Sequence, residues 1–343
     1  MEIKKRQLRK DGGLTISGLC VTCLPGNTKG ARFKMAEKGK DIRTNIAGWF
    51  GLSRPPFHTV GILPFLLGTF LAWRLDHAFN IPIFVLGILG VVLVMLSTYH
   101  AGEYFDYEED ELSKRLFRSR FAGGSGVIPD RILPRSVPLW TSIIAIALAG
   151  TIGLILQFGL KTGPLTLLLG CLGALPGFFY STRPIRLVDK GFGEFFIGFC
   201  YGWLPVASAF YIQRGYIAPV IHWMALPIGL SIFNVILLNE FHDHSADLAF
   251  GKTNMLVRLG KAKGMATYVV AAILSWFCMY SSLSAGIPRK ALYIYLPIMF
   301  LSAGISLMLA RKEYENPLVL EILCGLTIAV NLGTTTSYIL AFL

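Results

Sequence analysis

Nine apolar segments dominate the chain, at about residues 56–73, 82–100, 137–158, 162–180, 195–212, 217–239, 265–285, 292–310 and 318–341. Each is close to the roughly 20 residues a helix needs to cross a hydrocarbon core. In lipid, every backbone N–H and C=O must find its partner inside the protein, which leaves helices or closed barrels. The segments are continuous apolar runs without period-two alternation, which excludes a barrel. Internal prolines (Pro64, Pro176, Pro205, Pro227) fit membrane helices, which tolerate them. Only 15% of residues are charged and mean hydropathy is +0.58, against about 25% charged in soluble domains. The fold class read from this pattern is all-α: a multi-pass membrane helix bundle of nine transmembrane helices.

Charge sets the orientation. With the N-terminus in the cytoplasm, 27 of the 32 Lys and Arg fall on the cytoplasmic side, and only Arg74, Lys161, Arg214, Arg289 and Lys290 fall on the other. Cytoplasmic loops carry such an excess. The expected location is the cytoplasmic membrane, with the chemistry facing the cytoplasm and Leu343 on the opposite face. The net charge of +12 belongs to these loops and not to a nucleic-acid surface. The six Cys are scattered, and Cys20-x-x-Cys23 has no matching pair, so neither a disulfide framework nor a zinc site is expected. Residues 1–48 read as a basic, disordered leader, with residues 1–34 dispensable. Residues 49–343 read as the membrane domain.

Two acidic stripes stand out among so few carboxylates. Gly102-Glu103-Tyr104-Phe105-Asp106-Tyr107-Glu108-Glu109-Asp110 follows the second span, and Asn239-Glu240-Phe241-His242-Asp243-His244-Ser245-Ala246-Asp247 follows the sixth. Asp106 and Asp110 are i,i+4, as are Asn239, Asp243 and Asp247, so each set lies on one helix face. Their recurrence four spans apart suggests two similar halves. Facing carboxylates make an oxygen site for a hard divalent cation, with Mg²⁺ favoured. His242 and His244 read as loop residues beside it. Lys114, Arg115, Arg118, Arg120, Lys252 and Arg258 follow the stripes, and Arg183 and Arg186 end the fourth span. Carboxylates mixed with cations suit a diphosphate bridged by Mg²⁺. Gly123-Gly124-Ser125-Gly126 adds backbone N–H groups. A cation transporter would place its acids near the bilayer midplane instead.

Asn239-x-x-x-Asp243-x-x-x-Asp247, with Gly251-Lys252 and Val257-Arg258-Leu259-Gly260 after it, resembles the UbiA superfamily of intramembrane prenyltransferases over about residues 49–341. Within it, the pattern looks most like the 1,4-dihydroxy-2-naphthoate prenyltransferase branch. So do Arg54-Pro55-Pro56-Phe57 and Tyr180 with Pro184-Ile185-Arg186-Leu187 and Gly193-Glu194. The R-T-x-x-R-P run of other branches is absent. The first motif departs from the family's usual Asn, having Gly102 with Glu103 beside it. The resemblance implies transfer of an isoprenoid chain from a prenyl diphosphate to an aromatic acceptor. Homogentisate, another phenol and a glyceryl phosphate stand as alternative acceptors. It implies Mg²⁺ on Asp106, Asp110, Asn239, Asp243 and Asp247, the four aspartates being catalytic. Lys114, Arg120, Tyr180, Arg183, Arg186, Lys252 and Arg258 would bind substrate, Arg183 and Arg186 suiting either a carboxylate or the diphosphate. Tyr99, Tyr104, Phe105, Tyr107 and Tyr180 are candidates to face an allylic cation.

Overall fold

The computed structural model describes residues 42–343. These form α1 (Ile42–Ser53), α2 (Pro55–Asp76), α3 (Ile81–Phe105), α4 (Tyr107–Leu116), α5 (Ser136–Leu154) and α6 (Thr166–Phe178). There follow α7 (Gly193–Arg214), α8 (Pro219–Phe250), α9 (Met255–Leu259), α10 (Lys261–Ser282), α11 (Lys290–Ala310) and α12 (Pro317–Phe342). The expectations for residues 1–34 lie outside the described residues. From Ile42, inside the stretch read as leader, the chain is helical, and α1 exposes Ile46, Trp49 and Phe50 as an interfacial helix does.

Among the described residues, eight helices are long and apolar enough to cross a membrane: α2, α3, α5, α7, α8, α10, α11 and α12. The fourth expected span is the exception. Its helix, α6, has 13 residues, about 20 Å against a core of about 30 Å. Pro164 precedes it and Pro176 lies in its last turn. Beyond Phe178 the chain turns into a hairpin, with Leu187 N–H bonded to Phe179 O and Val188 N–H to Tyr180 O, both at 3.0 Å. The apolar run 162–180 thus exceeds the helix at both ends: residues 162–165 precede it, and Phe179 and Tyr180 enter the hairpin.

The innermost helices are α2, α7, α8 and α12, each with half or more of its apolar window buried. α2 packs along α7, and α8 along both α10 and α12. The two halves correspond: the second span packs against the third (α3 on α5), as the sixth does against the seventh (α8 on α10). Between α3 and α5, Ser97 Oγ donates to Ser142 O (2.9 Å) and Ser142 Oγ to Ser97 O (2.8 Å). Such small polar pairs hold helices where lipid supplies no hydrophobic drive between them. α7 carries a π turn at Phe199–Trp203, immediately before Pro205, which lacks the N–H for a regular turn.

Glycine sets the close crossing of α7 and α8. A Cβ on Gly202 of α7 would sit 2.5 Å from Gly229 Cα of α8, so the two backbones touch there. Gly202→Val is expected to destabilise the bundle by about 1–3 kcal/mol through overpacking, read as a lower unfolding temperature in detergent. Gly304→Ala on α11, where a Cβ meets nothing within 4 Å, is the matched control and should change little.

Candidate active site

Both acidic stripes end at the same pole of the bundle and open on one cavity of about 580 Å³. The chain reaches it differently on the two sides. α8 runs on unbroken through Asn239, Asp243 and Asp247 to Phe250. α3 stops at Phe105, and Asp106 (φ −97°, ψ 15°) bends the chain into α4. The i,i+4 register survives the bend, because Asp110 N–H still bonds Asp106 O at 2.9 Å.

All four aspartates and Asn239 line the cavity, with Tyr180 and Lys252. Asp106 accepts from Ser181 Oγ and from Arg186 Nη2 (3.0 Å). Burial pushes its carboxyl above the usual range, although Lys252, Ser181 and Arg186 pull the other way. Asp110 is pushed up further, by burial first and then by Glu103, Asp106 and Asp243 around it. Asp243 accepts from Ser113 Oγ and from Gly123 N–H (3.1 Å). Asp247 lies 3.3 Å from Lys252 Nζ and accepts from Asn254 Nδ2 at 2.7 Å. Asn254 also caps α9, its Oδ1 accepting from Val257 N–H. Burial by itself would lower the Lys252 ammonium, but Asp106, Asp247, Asp243 and Asp110 together hold it well above its ordinary value.

The other candidate cations lie outside the cavity lining. Lys114 pairs with Asp130, and Arg120 with Glu321 (3.0 Å). Arg258 donates to Thr253 O (2.7 Å) and Asp189 O (3.0 Å), bracing the loop after α8. Arg183 is exposed, one residue before a cis proline. Arg186 ties Asp106 to Glu109 (2.7 Å) and Asp189 (3.1 Å). These residues shape loops, so the positive charge that faces the cavity is concentrated elsewhere. Of the aromatic candidates, Tyr99 and Tyr180 line the cavity, whereas Tyr104 and Tyr107 pack under Arg135; Phe105 packs edge-on against Tyr104.

Sequence reasoning left out Arg54 as a site residue. It lines the cavity from the start of α2 in a left-handed conformation (φ 47°), a strain of roughly 1–3 kcal/mol. Its Nε is 3.7 Å from Glu103, and its Nη2 is buried without a partner. The signal was its position at the mouth of the first span. Glu103 itself accepts Ser125 N–H and Oγ (2.8 Å) and so anchors the loop beyond α4, while Gly102 lines the cavity with bare backbone.

Whether these residues fit Mg²⁺ turns on donor chemistry. No group of three or more His, Cys, Asp or Glu is drawn round a single point among the described residues. At the acidic pole the candidate donors are nevertheless the carboxylate and amide oxygens of Asp106, Asp110, Asn239, Asp243 and Asp247, all hard, and Asn239 Oδ1 is buried with no partner. That set fits an ion that keeps waters and shares its ligands with substrate phosphates, as Mg²⁺ does.

A cavity with a charged pole and an apolar limb, inside a bundle of membrane-length helices, has the form of a lipid-embedded site for an amphiphile. The UbiA prenyltransferase family model matches residues 61–318. The chain belongs to that family and is a prenyltransferase. It is 22% identical over 295 residues to the 1,4-dihydroxy-2-naphthoate octaprenyltransferase of Bacillus subtilis, covering 84% of this chain and 89% of that one. It is 23% identical to the 2-carboxy-1,4-naphthoquinone phytyltransferase of Synechocystis, covering 66% and 70%. The fold is similar to a UbiA homologue from Archaeoglobus fulgidus solved with GPP and Mg²⁺, at TM-score 0.59 and 14% identity, covering 84% and 99%.

The loop over the acidic pole should be intolerant of side chains. Gly124 has φ +67°, and a Cβ there would overlap the Asp110 carboxylate. Gly124→Ala combines a left-handed penalty of about 1–2 kcal/mol with that overlap. It is expected to cut prenyl transfer by at least about tenfold with normal membrane insertion, measured as product formed per milligram of inserted protein.

Proposed function

We propose that the protein transfers an isoprenoid chain from a prenyl diphosphate to a bicyclic hydroxy-aromatic acid such as 1,4-dihydroxy-2-naphthoate, with Mg²⁺, in menaquinone-type quinone biosynthesis. The observation that carries the reading is the single cavity joining four aspartates and Lys252 to a long apolar limb. The relatives' names support the acceptor, and the basic loops at the acidic pole support a site facing the cytoplasm.

In this reading Asp106, Asp110, Asn239, Asp243 and Asp247 hold the metal, which supplies charge neutralisation to the leaving diphosphate. Lys252 adds a fixed positive charge in a buried setting, where it acts more strongly than in water. The C1–O bond of the donor breaks with both electrons leaving on the diphosphate. The resulting allylic cation faces aromatic rings lining the cavity, among them Tyr99 and Tyr180. Tyr99 hydrogen-bonds Phe57 O through its hydroxyl, at 3.2 Å. The acceptor's ring carbon attacks C1, and loss of its carboxylate as CO₂ restores aromaticity. Exclusion of water protects the cation.

Arg54 replaces Arg183 as the residue for the acceptor's carboxylate. It is the cavity-lining guanidinium with an open, buried Nη2, and a fork of this kind suits a planar carboxylate. A charge-assisted contact of about 1.5–3 kcal/mol predicts that Arg54→Ala raises acceptor KM by roughly 10- to 100-fold and leaves the prenyl diphosphate KM near its starting value. The reverse split would move Arg54 to the diphosphate.

Asp106→Asn and Asp243→Asn should each lower turnover by roughly 10²-fold or more while expression and insertion stay normal. Mg²⁺-dependent activity at near-normal rate in both variants would sink the proposed metal site. The deciding experiment for the acceptor incubates membranes with Mg²⁺, labelled prenyl diphosphates and a panel of acceptors, with products read by mass spectrometry. Prenylation of homogentisate or 4-hydroxybenzoate with no reaction on the naphthoate would overturn the acceptor and leave prenyl transfer standing.

A further inference from the structure

The cavity wall holds a tyrosine that the proposed reaction has not used. Tyr201 of α7 lines the cavity together with Tyr99 of α3. It sits in the middle of the π turn at Phe199–Trp203, four residues before Pro205. Pro205 lacks the N–H that Tyr201 O would accept in a regular helix. Single π turns inside α-helices are frequent at functional sites. The ring is closely fitted. A Cβ on Gly61 of α2 would lie 2.6 Å from Met95 Sδ and 3.5 Å from Tyr201 Cδ1, so bare backbone admits both side chains. Tyr99 and Tyr201 pack on one apolar cluster of Val60, Met95, Ile232 and Val235. Tyr99 is seven residues before Asp106, about 10 Å along α3 from the acidic pole.

The hydroxyls of this pair have a fixed sense. A phenol has one proton to give and lone pairs with which to receive. Tyr99 gives its proton to Phe57 O at 3.2 Å. The two hydroxyls also hydrogen-bond each other. Tyr99 can then only receive, so Tyr201 gives its proton to Tyr99. Tyr201 makes no further hydrogen bond among the described residues. It therefore presents to the cavity an oxygen that accepts and does not donate. Tyr180 also lines the cavity but is not locked in this way, since no hydrogen bond fixes its hydroxyl among the described residues. The molecule that Tyr201 selects must carry an O–H or N–H. A prenyl diphosphate has neither on its hydrocarbon chain, and its ionised phosphate oxygens accept. The ring hydroxyl of an aromatic acceptor does donate. Arg54 is close enough for its charge to act on Tyr99, so the place assigned to the acceptor's carboxylate and the Tyr201 hydroxyl share one region of the cavity.

We propose that Tyr201 accepts a hydrogen bond from a ring hydroxyl of the aromatic acceptor, with Tyr99 and Phe57 O fixing the direction of that bond. The inference rests on the hydroxy-aromatic acceptor proposed above and gives it a second point of attachment. The ring proton stays on its own oxygen, and no bond is made or broken at Tyr201. A ring hydroxyl held this way orients the carbon beside it and leans electron density toward the ring. A ring that lacks the hydroxyl leaves the Tyr201 oxygen against an apolar surface with no partner, the arrangement by which a polar site rejects the wrong substrate. Tyr201 is thus an acceptor-binding residue, and Tyr99 is a positioning residue that acts through it.

The test crosses enzyme with substrate. Wild type, Tyr201→Phe and Tyr99→Phe are assayed with 1,4-dihydroxy-2-naphthoate and with the two monohydroxy-2-naphthoates that each lack one of its hydroxyls. Both variants keep the ring that packs on the Val60 cluster. The kcat/KM preference for the dihydroxy acid over one of the monohydroxy acids is expected to shrink by about tenfold or more in Tyr201→Phe. The preference over the other should stay. Intrinsic differences in ring reactivity cancel, because they are the same in every enzyme. Tyr99→Phe should give a smaller fall for the same acid, whereas a loss of packing alone would weaken all three acids alike. The prenyl diphosphate KM should remain near its wild-type value throughout. Where a monohydroxy acid does not react, its inhibition constant against the dihydroxy acid completes the same comparison. A preference that moves for neither acid in Tyr201→Phe overturns the proposal. A wild-type enzyme that ignores all three naphthoates but prenylates another phenol would bring down the naphthoate assignment instead. The comparison then uses that phenol and its analogue lacking the hydroxyl, and an unchanged preference there overturns the role of Tyr201 by itself.

Discussion

Buried carboxylates at helix ends organise everything at the active pole. A carboxylate taken out of water requires hydrogen-bond donors or cations around it, and here the connecting loops supply them. Asp243 draws in Ser113 and Gly123, Glu103 draws in Ser125, and Glu321 of α12 draws in Ser119 and Arg120. Apart from Ser113, which sits on α4, these donors lie on the single loop after it, so α4 and its loop are fastened to α3, α8 and α12 at once. On the other side, Asp106 holds Ser181 and Arg186 of the hairpin after α6, while Asp247 holds Lys252 and Asn254. Glu103, Asp106, Asp243 and Asp247 thus both hold loops onto the pole and line the cavity.

This arrangement explains why most of the basic residues near the motifs are remote from the cavity. A charged loop beside a membrane needs local partners as well as a function. Lys114, Arg120 and Arg258 find theirs in Asp130, Glu321 and backbone carbonyls. Lys252 differs because it is buried among four aspartates, whose combined field keeps it charged. Arg54 differs because strained backbone at the start of α2 directs it to the cavity with one nitrogen free. In the proposed mechanism these two cations in distinct settings take the diphosphate and the acceptor's carboxylate respectively.

Glycine has opposite uses in the two parts of the molecule. At Gly202 and Gly229 it lets helices touch, and that crossing fixes α7 against α8. At Gly123, Gly124 and Gly126 it supplies the left-handed turns that fold the loop over Asp110. At Gly150 and Gly170 it touches nothing.

The placement of the eight helices of spanning length was legible in the sequence because each helix in lipid must satisfy its own backbone, and hydropathy reports that directly. The two acidic motifs were equally legible, since i,i+4 spacing puts side chains on one face whatever the surroundings. The length of α6 was not, because apolar residues 162–180 look the same whether they continue a helix or turn into the hairpin that Leu187 and Val188 close. Nor was the choice among cations. Lys252, Arg183, Arg186 and Arg258 are alike as charges in a string, and only the packed loops decide which is enclosed by carboxylates, which braces a neighbour and which faces solvent. Sequence by itself determined the elements and the residue types available for the chemistry, through interactions local along the chain. Tertiary structure alone decided the partners, because which loop lies over which helix end depends on contacts between residues up to about two hundred positions apart, such as Arg120 with Glu321.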